Sequence, residues 1–150
     1  MKPSFLLALL PAAATAATLP WPTASNTDAL LPAARAFALV DAERNGDAVV
    51  VTWQVAPGYY LYRDHIAAQV LAPAGARLGT PRLPPAQAKT VPQLGRVQVY
   101  RGALRVTWPQ AAGAPAITRV QVSYQGCADI GVCYPPQTRV VEIAAAGAQR

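Results

Sequence analysis

Negative charge is scarce in this 150-residue sequence, which carries 7 acidic against 13 basic side chains and a formal net charge of +6. No acidic residue occurs between Asp64 and Asp129, while Arg77, Arg82, Lys89, Arg96, Arg101, Arg105 and Arg119 all fall in that interval. One region of the surface is therefore positive, either as a plain solvated face or as one that steers an acidic protein partner. No basic-aromatic cluster accompanies it, which together with the export signal described below excludes nucleic acid as a partner. Histidine is limited to His65 and cysteine to Cys127 and Cys133. That set is too small and too scattered for a structural zinc site, so no metal is expected. A Cys-x-x-Cys pair is missing too, and with it the helix-terminus device that acidifies a thiol in thioredoxin-like proteins.

Long apolar runs are equally absent. The longest, Phe5 to Ala17 (FLLALLPAAATAA), has 13 residues, short of the roughly 20 that a membrane-spanning helix needs. Preceded by Lys2 and containing the small-residue stretch Ala14-Thr15-Ala16, it reads as a signal peptide over residues 1–17. No later segment comes nearer to a transmembrane length, so the mature chain is expected to be soluble and exported. Thr18 to Pro32 is rich in proline and small polar residues, and residues 18–35 read as an extended lead-in. About 130 mature residues suit one domain, taken as 36–150.

No convincing helix of ten or more residues appears. Ala36 to Val40 is a short strand candidate, and Val49, Val51, Trp53 and Val55 then alternate with Val50, Thr52 and Gln54 after a turn at Asn45-Gly46. That period of two marks a half-buried strand. Tyr59 to Arg63, Ile66 to Ala72, Val97 to Arg101, Leu104 to Trp108, Ile117 to Tyr124 and Thr138 to Ile143 are further candidates. Five prolines between Pro73 and Gly95 predict long loops there, with at most a short strand near Ala76 to Leu78. Seven or eight short strands with regular turn signals predict an all-β, immunoglobulin-like antiparallel sandwich.

Both cysteines fall in Tyr124 to Thr138, YQGCADIGVCYPPQT. Export puts them where disulfides persist. A bond between them closes only seven residues, which the chain-entropy account values at about 2.4 kcal/mol, against about 4.7 for a 100-residue loop. It is also not the core-crossing bridge of an immunoglobulin domain. Gly126 and Gly131 leave backbone accessible and permit turns, Pro135-Pro136 stiffens the exit, and Tyr124 and Tyr134 flank the sulfurs. Spacing alone leaves two readings: a small staple in a non-catalytic binding or adaptor module, or a redox tool.

YQGCADIGVCYPP, with GYYLYR at Gly58 to Arg63 and VYRGALRVTWP at Val99 to Pro109, resembles the family of N-terminal periplasmic domains of DsbD thiol:disulfide interchange proteins. The resemblance runs from about Ala36 to Ile143 and implies an immunoglobulin-like fold. It also implies a periplasmic thiol-disulfide exchange domain, a protein-disulfide reductase component that needs no cofactor and passes reducing equivalents to oxidised thioredoxin-like or disulfide-isomerase partners. By position, Cys133 becomes the attacking thiolate and Cys127 the resolving cysteine. Tyr60 and Tyr62 match the tyrosines beside the pair, and their spacing of two puts them on one strand face. Tyr134 adjoins Cys133. Asp129, inside the cysteine loop, is either a plain turn residue or a carboxylate that disfavours a nearby thiolate. Where the family carries a cap loop with acidic and aromatic residues, Val91 to Arg96 has neither, leaving Gln93 and Leu94 as the cap. The family protein continues into a membrane-embedded domain, so here the expected donor is a separate membrane reductant conductor.

Overall fold

Alternation in Ala48–Val55 builds the central strand, β2, of a computed structural model that describes residues 29–145. The expected signal peptide and residues 18–28 of the lead-in lie outside the described residues. Ala33–Ala36 forms a single helical turn, α1, closed on the Pro32 carbonyl. Leu31 N–H donates to the Tyr59 hydroxyl at 2.9 Å, so the end of the lead-in is already tied to the domain.

Strand β1, Phe37–Asn45, pairs antiparallel with β2 through Gly46 and Asp47, where Gly46 takes φ +58°. There follow β3 (Tyr59–Tyr62), a 3-10 turn (Arg63–His65), β4 (Ala67–Ala72), β5 (Gln87–Val91), β6 (Gly95–Tyr100) and β7 (Ala103–Pro109). Strands β8 (Arg119–Tyr124), β9 (Gly126–Ala128), β10 (Gln137–Glu142) and β11 (Ala144–Ala145) complete the order. They form three hydrogen-bonded groups: β11-β1-β2-β7, β10-β8-β4 and β5-β6-β3-β9.

The second and third groups are joined end to end. Only Gln125 separates β8 from β9, and only the 3-10 turn and Ile66 separate β3 from β4. Tyr62 N–H donates to Gln125 O at 2.9 Å across the gap. The two groups thus make one interrupted layer facing the first sheet, the expected sandwich. Between the layers Trp53 packs 6.4 Å from Trp108 and edge-on to Tyr124 at 5.7 Å, ring centre to ring centre. Val120, Val122 and Tyr124 of β8 point into this core as their alternation predicts, while Arg119 is exposed.

Five elements differ from the sequence reading. α1 is a helical turn where an extended lead-in and the start of a strand are expected, and β11 adds two residues beyond the last predicted strand. β1 is nine residues, longer than Ala36 to Val40, because the register shifts between Leu39 and Asp41 and hides its period of two. β5 occupies part of the predicted loop. It is an edge strand bonded only to β6, and Gln87-Ala-Lys-Thr-Val91 carries almost no apolar pattern to betray it. β9 is three residues long, too short for any period to register.

Candidate functional site

Cys127 and Cys133 face each other across a small hairpin. Ala128 N–H donates to Val132 O at 2.8 Å, and Tyr134 N–H to Gly126 O at 3.0 Å, so the cysteines between them form a non-hydrogen-bonded cross-strand pair. Side chains approach most closely at such pairs, and the two sulfurs are joined at 2.07 Å. Gly131, at φ +92°, makes the tip turn.

The two sulfurs have unequal surroundings. Cys127, on β9, is 0% exposed, whereas Cys133 is exposed. β9 can sit this deep because Gly126 has no side chain. A Cβ there would run into the Tyr60 carbonyl and lie 2.6 Å from the Phe37 ring. Gly126 is therefore buried and serves packing, a correction to its reading as backbone accessible to a partner.

β3 is buried on both faces. Tyr59 and Leu61 join the main core, while Tyr60 and Tyr62 face a second cluster with Val99 and Cys127. Their shared face is the one the spacing of two predicts. The two rings meet nearly at right angles with centres 5.5 Å apart. The Tyr62 hydroxyl lies 3.3 Å from Cys127 Sγ and 3.9 Å from Cys133 Sγ. A disulfide sulfur carries no proton, so here the hydroxyl donates. Burial, with the hydrogen bond that Tyr60 donates to Tyr62 next in size, pushes Tyr60 up to about 12. Tyr60 therefore stays a neutral phenol at physiological pH.

Asp129, exposed at the hairpin, is held from both sides. Its carboxylate accepts two bonds from Arg101, at 2.8 and 2.7 Å, and pairs with Lys89 Nζ at 3.3 Å. The Arg101 bonds foremost, then those of Lys89, hold its carboxyl below the usual carboxylate range against the opposing effect of burial. Lys89 and Arg101 also lie over the Tyr60 ring, at 5.0 and 5.3 Å from its centre. Lys89 was not legible beyond its place in the basic stretch because β5 was not predicted, and Arg101, though it ends a predicted strand and lies in the VYRGALRVTWP motif, meets Asp129 only through the fold.

The β5-β6 hairpin tip borders Cys133. Pro92, Gln93 and Leu94 line a cavity of about 510 Å³ together with Tyr60, Tyr62, Ile130 and Cys133. Gln93 adopts φ +69° in the tip turn, and Leu94 is 63% exposed. Two tyrosines expected beside the sulfurs point elsewhere. Tyr134 packs edge-on against Phe37 at 5.3 Å and donates its hydroxyl proton to Leu31 O, and Tyr124 is spent in the core against Trp53. Both belong to the cysteine segment in sequence, but the alternation of β8 directs the Tyr124 ring inward, and Tyr134, between β9 and β10, turns its ring against Phe37. Gln125 escaped the sequence reading. Its amide donates to Tyr134 O at 3.0 Å, and its Oε1 lies 2.8 Å from His65 Nδ1, fixing both flanks of the cysteine hairpin.

The family described as thiol:disulfide interchange protein DsbD, N-terminal, matches residues 27–145. The thiol:disulfide interchange protein DsbD of Cronobacter sakazakii is 39% identical over 120 residues, 80% of this chain and 20% of that protein. DsbD 2 of Pseudomonas aeruginosa is 37% identical over 124 residues, 83% of this chain and 20% of that protein. The chain thus spans about one fifth of the length of these curated relatives. Among solved structures, the reduced DsbD N-terminal domain of Neisseria meningitidis superposes with a TM-score of 0.67 at 33% identity, covering 77% of this chain and 90% of that one. The same domain in complex with the PilB N-terminal domain gives 0.65 at 32% identity, covering 75% and 86%. The family match over most of the described residues, the identity to these relatives and the shared fold agree, and this chain belongs to the DsbD N-terminal domain family.

Proposed function

We propose that this domain is a periplasmic thiol-disulfide exchange module, the reductase component that hands two electrons from its cysteine pair to oxidised thioredoxin-like or disulfide-isomerase proteins. The observation that carries the reading is the inequality of the sulfurs, Cys133 exposed in a cavity and Cys127 fully buried beneath it. In the reduced domain the Cys133 thiolate attacks one sulfur of the partner's disulfide. A bond forms between Cys133 and the partner, and the partner's second sulfur leaves as a thiolate. Cys127 then loses its proton and attacks Cys133 Sγ, breaking the mixed disulfide and freeing the partner's first sulfur. Two electrons pass to the partner, its thiolates take up two protons, and Cys127 and Cys133 end as the disulfide.

A purely structural role for the bond fits less well. The hairpin is already held by its own backbone bonds and by Asp129 on Arg101, so a link over seven residues adds little order. The complex solved for the Neisseria relative with the PilB N-terminal domain supports a protein as the acceptor. Gln93 and Leu94, which line the cavity with Cys133, act as the cap in this reading.

The test is a trap. Cys127→Ala, which keeps Cys133 but removes the resolving sulfur, is expected to accumulate a mixed disulfide with an oxidised thioredoxin-like protein. Cys133→Ala is expected to accumulate none. Equal trapping by both variants, or by neither, contradicts the assignment.

A further inference from the structure

The charges around the cysteine hairpin come from three separate segments. Asp129 lies inside the ring closed by the disulfide, Lys89 stands on the edge strand β5, and Arg101 follows β6. Arg101 is also anchored by its bond to Tyr59 O at 3.1 Å, so it is a fixed post. Lys89, Asp129, Tyr60, Tyr62 and Cys133 all line the one cavity. The cluster holds two cations and one carboxylate, leaving one positive charge over beside an exposed cysteine.

A carboxylate alone near Cys133 would oppose its ionisation, and cations alone would favour it. The sequence offered only the first half of that balance. The other ionisable groups facing Cys133 are Tyr60 and Tyr62 from β3, with His65 against the Tyr62 ring at 5.1 Å and Cys127 beneath. None of these brings a second carboxylate into the cavity lining.

We propose that Asp129 is a positioning and charge-masking residue for the exchange reaction: it holds Lys89 and Arg101 on itself and so withholds part of their positive charge from the Cys133 sulfur once the disulfide is reduced. The proposal rests on the exchange reading above. It assigns opposite signs to the members of one ion cluster. Removing the mask exposes the cations and makes the thiol ionise more readily, whereas removing a cation leaves the carboxylate relatively stronger and makes it ionise less readily.

The experiment is the pH profile of alkylation of Cys133 by iodoacetamide, followed by peptide mass in the fully reduced protein at low ionic strength. Asp129→Asn is expected to move the profile to lower pH and to raise the rate at neutral pH on the order of three- to tenfold, the reach of a nearby charge on a partly exposed group. Lys89→Gln is expected to move it to higher pH and slow the reaction by a similar factor. Both effects should shrink in molar salt. A hairpin that is merely loosened would accelerate both variants. Shifts of the same sign, or no shift, overturn the proposal. If Asp129→Asn fails to fold, Lys89→Gln decides alone, since slower alkylation supports the proposal and unchanged or faster alkylation overturns it. Alkylation needs no partner protein, so a failure to trap one would count against the exchange reading and leave this result standing.

Discussion

Both sulfurs converge on the Tyr62 hydroxyl, which makes this residue the local control on their chemistry. A phenol that donates to a disulfide sulfur donates more strongly to a thiolate, because the acceptor is then charged. Tyr62→Phe should therefore destabilise the reduced form more than the oxidised one. For a bond of about 0.5–1.5 kcal/mol, the pair's potential should fall by roughly 10–30 mV, as read by equilibration with thiol buffers. A rise would contradict the role. Asp129 gives a second prediction at this scale. Its carboxyl is held low, chiefly by Arg101. A depressed folded-state value contributes stability that is fully present above the unfolded value and is lost as pH falls through the folded one. The hairpin clasp should thus persist down to pH of about 4 and loosen only below it. Amide signals of residues 128–132 should follow that titration, and Asp129→Asn should abolish it.

Among elements, β9 is the most constrained, since Gly126 sits against Tyr60 and Phe37 with no room for a methyl group. Gly126→Ala should push β9 off β3 and cost about 1–3 kcal/mol by overpacking. Because β9 carries Cys127, the variant should also alter the potential, which denaturation and thiol titration can measure on the same sample. An alanine variant with unchanged stability would contradict the packing account. Strands were legible where one face is buried and the apolar period survives, as in β2 and β8. They were illegible where a bulge breaks the period, in β1, or where an edge strand is polar, in β5. The site divides the same way. Cys127, Cys133, Tyr60 and Tyr62 could be read because motif and spacing name them. Lys89, Arg101 and Gln125 could not, because their roles depend on contacts between segments far apart in sequence.

At the scale of the whole molecule, the fold keeps stability and chemistry on opposite faces of β3. The main core, with Trp53, Trp108, Leu104 and Tyr124, supports the sandwich, while the smaller cluster of Tyr60, Tyr62, Val99 and Cys127 surrounds the buried sulfur. Leu104→Ala should therefore cost about 2–5 kcal/mol and leave the cysteine potential unchanged, a dissociation that denaturation and redox titration would show together. A matching change in potential would mean that the two clusters are not independent.

The reduction potential of the Cys127 and Cys133 pair is the most direct measurement of what the molecule is for. Equilibrating the wild-type domain with defined thiol buffers and counting free thiols gives it without any partner. A working carrier should lie between roughly −180 and −270 mV, the span of isomerases and thioredoxins. A value below about −300 mV, where structural disulfides lie, would make the bond a staple and contradict the exchange function.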